Sequence, residues 1–200
     1  VAIVNGYLTR VELRRWMFGL SDPPTDPHPL DELFDESIEV ASRWSDQWCR
    51  RHFYQVTETR EFIADDLAVL RFGTFGDVVS VTAVESDDLG DGVFVAWNPA
   101  EFLVPPASAG PEARPSRTLE AVAKKFPLGR RVRVTGTWGW PAVPAPVARG
   151  TTIQAARLVK RREAPEGILG VNQFGVLRVA GRPDPDVVSL LNPYRLRVVG

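Results

Sequence analysis

Residues Val132 to Val147 read "VRVTGTWGWPAVPAPV", and the fold class turns on this stretch. Val132, Val134 and Trp138 alternate with Arg131, Arg133, Thr135 and Thr137, the period-two signature of a half-buried strand. Pro141, Pro144 and Pro146 then stop the strand, because proline brings no amide donor to a ladder. Pro146 is tolerated in the first turn of a helix that the pattern predicts over Ala145 to Arg162. A strand that passes straight into a helix implies a sheet before the joint and a helical layer after it. The expected class is therefore α+β: a core of about four helices with a small antiparallel sheet inserted. The expected organisation is N-terminal helices over 1–52, the sheet region over 53–140, and C-terminal helices over 141–200 that pack with 1–52. Trp138 and Trp140 stand at the corner, where they either wedge sheet to helix or serve a subunit contact.

Upstream, "LTRVELRRW" carries a helix start. Thr9 is the cap, Glu12 can reach back to it, and Leu8 and Leu13 are spaced for a hydrophobic staple. Gly19 and the proline-rich "SDPPTDPHP" end that helix. A second helix is predicted from Leu30 to about Cys49, with an apolar stripe of Leu30, Leu33, Phe34, Ile38, Ala41, Trp44 and Trp48. On that stripe both tryptophans and the single cysteine, Cys49, read as core. Strands are expected at Tyr54–Ile63, Ala68–Phe72, Val78–Val84 and Gly92–Trp97. In the third, Val79, Val81 and Ala83 share one face. "TLEAVAKKF" is short and has helical spacing, and Pro105 to Ser116 reads as a loop. Downstream, Val147, Thr151, Ala155 and Leu158 give the third helix a small-residue face. A loop or small hairpin follows, then a last helix capped by Asp184, opened by Pro185 and closed by Pro193.

The composition narrows the function. With 44% hydrophobic and 24% charged residues the chain can bury a sizeable core, and a net charge of −1 supplies no uniform positive field for nucleic acid. One cysteine excludes an intrachain disulfide and a multi-cysteine metal site. No apolar run approaches the roughly 18 residues that span a bilayer, and "VAIVNGYLTR" lacks a signal peptide's pattern. A soluble protein made in a cytoplasm is expected.

Catalytic motifs are missing. His28 and His52 adjoin no nucleophile, there is no phosphate-cradling glycine loop, and "SDDLGDG" fits a hairpin turn better than a calcium loop. Asp65 and Asp66 read as a solvated turn. No catalytic residue, cofactor or metal is expected. Two basic clusters remain: Lys124, Lys125, Arg130, Arg131 and Arg133 near the strand entry, and Arg157, Lys160, Arg161 and Arg162 closing the third helix. Either they answer the helix dipole and keep exposed faces soluble, or they touch phosphates or an acidic partner.

Taken in order, several segments resemble one family, the head-to-tail connector (adaptor) proteins of long-tailed bacteriophages. They are "YLTRVELRRWMFGL", "DESIEVASRWSDQWCRRHFY", "VRVTGTWGWPAVPAPV", "AARLVKRREAPEGILG" and "DPDVVSLLNPYR". The resemblance implies a structural role in the virion, after assembly in the bacterial host cytoplasm. It implies a homo-oligomeric ring, usually of about twelve subunits, under the portal protein. Such a ring extends the DNA channel, passes DNA without reading its sequence, and docks a neck stopper or tail protein, with no reaction, cofactor or membrane. Candidate contact residues are Trp138, Trp140, Arg157, Lys160, Arg161, Arg162 and Tyr194, with Arg131 and Arg133 as candidates to face DNA. The sheet insertion and long proline-rich loops depart from the family's simplest members. The alternative expectation is a nucleic-acid-binding module that uses the outward Arg131 and Arg133 face.

Overall fold

The computed structural model describes residues 3–19, 29–105, 113–163, 168–172, 175–178 and 183–197. His28 and most of the Pro105–Ser116 stretch lie outside them. The chain divides into two compact units, Val1–Cys49 with Val143–Gly200, and Arg50–Ala142.

The first unit is helical: α1 (Arg10–Phe18), α2 (Asp31–Cys49), α3 (Ala145–Glu163) and α4 (Pro185–Leu191). The capping box of α1 is complete. Thr9 Oγ1 accepts from the Glu12 amide at 3.2 Å, and the Glu12 carboxylate accepts from the Thr9 amide at 2.6 Å. Leu8 and Leu13 are both buried, as a staple requires. Gly19 ends the helix in the left-handed region, φ 64°, where its amide reaches the Arg15 carbonyl. Arg10 and Arg14 then tie α1 to Asp31 and Asp35 of α2.

The second helix corrects one expectation. Phe34, Ile38 and Ala41 are fully buried, but Trp44 and Trp48 are only half-buried and stack on each other at 5.4 Å. The buried face instead continues through Ser42, Ser45, Asp46 and Cys49. Small hydroxyl residues win these positions because they let α3 approach closely and still satisfy their polar atoms. Ser45 Oγ lies 2.9 Å from Thr151 Oγ1 of α3, and each hydroxyl also reaches the carbonyl four residues behind it. Ala155 and Val159 continue the buried face of α3. Cys49 is a buried thiol 3.7 Å from the Leu191 carbonyl. Asp184 accepts from the Asp186 amide at 2.9 Å and caps α4. Between α3 and α4 the chain forms an antiparallel hairpin, β8 (Ile168–Asn172) with β9 (Gly175–Arg178).

The second unit holds β1 (Val56–Ile63), β2 (Val69–Arg71), β3 (Val78–Ser86), β4 (Val95–Ala96), β5 (Phe102–Leu103), β6 (Thr118–Ala121) and β7 (Arg131–Trp138). One antiparallel sheet runs β1-β7-β3-β4, and a second runs β2-β6-β5. Both feed one core that includes Leu70, Leu119, Val132, Val134 and Trp138. "TLEAVAKKF" thus opens as strand β6, with Leu119 at 0% exposure, because pairing on both sides overrides its helical spacing.

In β3 the expected face of Val79, Val81 and Ala83 does not hold. Register shifts after Val78 and Val81 rephase the strand, so Val78 and Val84 become core while Ala83 is exposed. Gly136 of β7 sits beneath this irregularity, and a Cβ there would collide with the Ser80 carbonyl. Gly139, at φ 110°, lies against the Tyr54 carbonyl in the same way. These two close approaches explain the glycines of the opening stretch.

Candidate functional site

Three of the candidate contact residues lie beneath the surface. Trp138 and Trp140 have no exposure, and Tyr194 is buried after α4. Trp138 packs against Phe62 and Phe72 and donates its indole N–H to the Glu58 carbonyl at 3.0 Å. Arg60 covers its ring at 4.5 Å. Trp140 packs on Phe53, lies under the Arg51 guanidinium and donates to Asp77 Oδ2 at 3.1 Å.

This Trp140 cluster holds two titratable groups with shifted pKa values, Asp77 and His52. Burial pushes the Asp77 carboxyl above the usual carboxylate range, and the Arg51 guanidinium, whose Nε is 3.4 Å away, partly opposes the rise. Burial lowers the His52 pKa, and the charge of Arg60 lowers it further against the raising effect of its hydrogen bond to Tyr54. His52 Nδ1 is 2.9 Å from the Tyr54 carbonyl, which places the proton there and leaves Nε2 to accept from Arg60 at 3.2 Å. Asp77 is 1% exposed and His52 6%. Both groups are enclosed by protein: Asp77 Oδ2 accepts from the Trp140 indole, and His52 bridges the Tyr54 carbonyl and Arg60. Asp77 Oδ1 is buried without a hydrogen bond among the described residues.

The basic clusters separate on inspection. Arg157 is turned inward, half-buried and 3.4 Å from Asp184, the residue that caps α4. Lys160, Arg161 and Arg162 are exposed in the last turn of α3, where positive charge favours the helix dipole. Arg131 and Arg133 do face outward from β7, but acids surround them. Arg131 pairs with Asp87 at 3.0 Å and Glu61 at 3.6 Å, and Arg133 with Glu61 at 3.1 Å. Both guanidinium groups lie over the Phe94 ring, at 5.3 and 3.6 Å. Although burial opposes ionisation of Asp87, Arg131 and the amides of Gly90 and Gly92 hold its pKa below the ordinary value. A phosphate arriving here would have to displace carboxylates, so this face is poorly built for nucleic acid. Glu61, Asp87 and Phe94 were invisible to sequence reasoning because cross-strand register, not spacing, brings them to the arginines.

The turn residues behave as turns. Asp87 gathers the amides of Gly90 and Gly92, and Asp66 those of Ala68 and Val69. Among the described residues no group of three His, Cys, Asp or Glu side chains could hold a metal ion, and no helix is long and apolar enough to cross a membrane.

Apolar side chains are exposed on both units, singly on the strands and turns of the sheet unit, such as Ile63, Leu89 and Val122, and also on the helices. Trp16 is 42% exposed and Phe18 and Val11 each 48% on α1, with Val40 at 49% on α2. The Arg149 guanidinium of α3 lies 3.6 Å from the Trp16 ring centre. A hollow of about 370 Å³ next to Trp16 is lined by residues that include Arg15, Ala148 and Thr152.

No protein-family model matches the chain, and no curated protein matches it in sequence. Solved structures do. A protein from the neck of an empty gene transfer agent (GTA) particle, computed with C6 symmetry, is 21% identical with a TM-score of 0.64 over 100% of this chain and 95% of that one. A protein from the virion of a native GTA particle is 21% identical with a TM-score of 0.56, covering 100% and 95%. A protein from the neck of a native GTA particle, computed with C12 symmetry, is 20% identical with a TM-score of 0.52, covering 86% and 91%. At this level of identity the likeness shows a shared fold.

Proposed function

We propose that this chain is a structural head-to-tail connector of a phage-like particle. Copies form a ring beneath the portal, extend the DNA channel and dock the next neck or tail protein. The observation that carries the reading is the likeness of the whole chain to proteins of particle necks, which were solved with sixfold and twelvefold symmetry. The residue chemistry is in keeping with it. The perturbed groups Asp77 and His52 are buried, and the outward arginines of β7 are balanced by Glu61 and Asp87. DNA in a channel is held by enclosure, so a connector has no need of a phosphate-binding face. The protein contributes shape and stiffness to the neck rather than a reaction.

Electron microscopy of particles produced without this chain tests the reading. Filled or leaking heads that lack tails are expected. Normally tailed, DNA-retaining particles would overturn it.

A further inference from the structure

We propose that the outward face of α1 on one copy of this chain docks on the outward face of α2 on the next, a head-to-tail contact. The inference deepens the connector reading and rests on it for the expectation that copies adjoin.

The α1 surface is apolar and basic. Val11, Arg15 and Phe18 follow one another at helical spacing on its exposed side, beside Trp16 and its stacked Arg149. The α2 surface is apolar and acidic. Glu32, Glu36 and Val40 form an exposed strip that runs on to half-buried Trp44. Arg15, Glu32 and Glu36 make no ion pair among the described residues, so their charges remain available to a partner surface.

Geometry keeps one copy from satisfying both faces. At 100° per residue, Glu36 and Val40 lie about half a turn from Ile38, whose side faces the unit's interior. Val11 and Arg15 likewise lie about half a turn from buried Leu13. Because α1 is bound to α2 through Asp31 and Asp35, on the inward side, the two outward surfaces turn away from each other. Opposite charge and matching apolar content then suit α1 of one copy to α2 of another. A contact between two different surfaces repeats from copy to copy, and it closes to a ring when the rotation allows.

Charge reversal is the test. Arg15→Glu and the pair Glu32→Lys with Glu36→Lys are made in the full-length chain, with folding checked by circular dichroism. Sedimentation should show each variant at least tenfold weaker in self-association than the parent, and an equimolar mixture should restore it, since reversed faces then meet in alternation. A second measurement does not depend on charge. Arg15→Cys and Glu36→Cys are combined and treated with a short bis-maleimide, to which buried Cys49 is inaccessible. A ladder beyond the dimer is expected from the doubly substituted chain, and monomer from each single substitution. Undiminished assembly of the reversed variants, dimers from a single cysteine, or absence of any ladder would overturn the docking surface. Rings that form through other surfaces would do so while leaving the connector reading intact, and tailed particles made without the chain would sink that reading alone.

Discussion

The six tryptophans divide evenly between the two units and are used in opposite ways. In the sheet unit Trp97, Trp138 and Trp140 are at most 5% exposed. Each donates its indole N–H inside the unit, to Ser86, Glu58 and Asp77 respectively. In the helical unit Trp16, Trp44 and Trp48 remain partly exposed and carry cations or rings on their faces. Where α2 meets α3, that unit buries small groups, among them Ser42, Ser45, Thr151 and Ala155, beside a core that includes Leu13, Phe34 and Ile38. The sheet core closes around Trp97 and Trp138, whereas the α2–α3 contact around Ser45 and Thr151 has room only for small side chains. Part of the aromatic surface of the helical unit therefore stays exposed.

The largest expected effect breaks this contrast from the sheet side. Trp138→Ala should remove about 3–5 kcal/mol from the unfolding free energy in urea. Trp44→Ala, its half-buried counterpart, should cost less than about 1.5 kcal/mol. Equal losses would contradict the division. Next, Asp77→Ala should cost roughly 3 kcal/mol, because it strips the carboxylate from beside a buried guanidinium and from the Trp140 indole. A melting temperature unchanged from the parent would refute that role.

Smaller effects sharpen the helical side. Thr151→Val keeps the shape of the α2–α3 contact but removes one hydroxyl from the Ser45 pair, at a cost of about 1 kcal/mol. Ser45→Leu should cost more, about 1–3 kcal/mol, by forcing the helices apart. If the larger side chain were the milder change, close approach would not be what the hydroxyls provide.

The smallest effect is a pH dependence. The folded pKa of His52 is depressed below its ordinary value near 6.5. As pH falls below about 6.5 the unfolded chain takes up this proton first, so stability drops until the folded pKa is passed and then levels off. Asp77 acts oppositely: its raised pKa means that acidification towards its ordinary value of 3.8 restores stability. His52→Gln should therefore flatten the decline between neutral pH and the folded pKa of the histidine. Melting curves that keep the parental slope would contradict the assignment.

Much of the fold was legible because local chemistry and tertiary demand agree there. Thr9, Glu12 and Gly19 bracket α1, and β7 follows its alternation from Arg131 to Trp138. Legibility failed where a neighbour decides. The irregularities of β3 depend on its register against β7, β6 is a strand only because β2 and β5 flank it, and Ser45 is core only because Thr151 faces it. The tryptophans of α2 misled for the same reason: helical periodicity marks a stripe but not how far its edge reaches into the core. Of the candidate contacts that the sequence singled out at the basic end of α3, Lys160, Arg161 and Arg162 are exposed and Arg157 turns inward. Sequence reasoning passed over Val11, Phe18 and Val40, since an exposed apolar residue looks the same in a sequence as a buried one.

The most direct test of the connector claim is the mass of this chain in solution, alone and mixed with the portal protein of the same particle. The account predicts a discrete complex carrying a ring of copies whose number matches a sixfold or twelvefold symmetry, as in the necks that share its fold. A 22.2 kDa monomer that stays monomeric at every concentration and ignores the portal would contradict it.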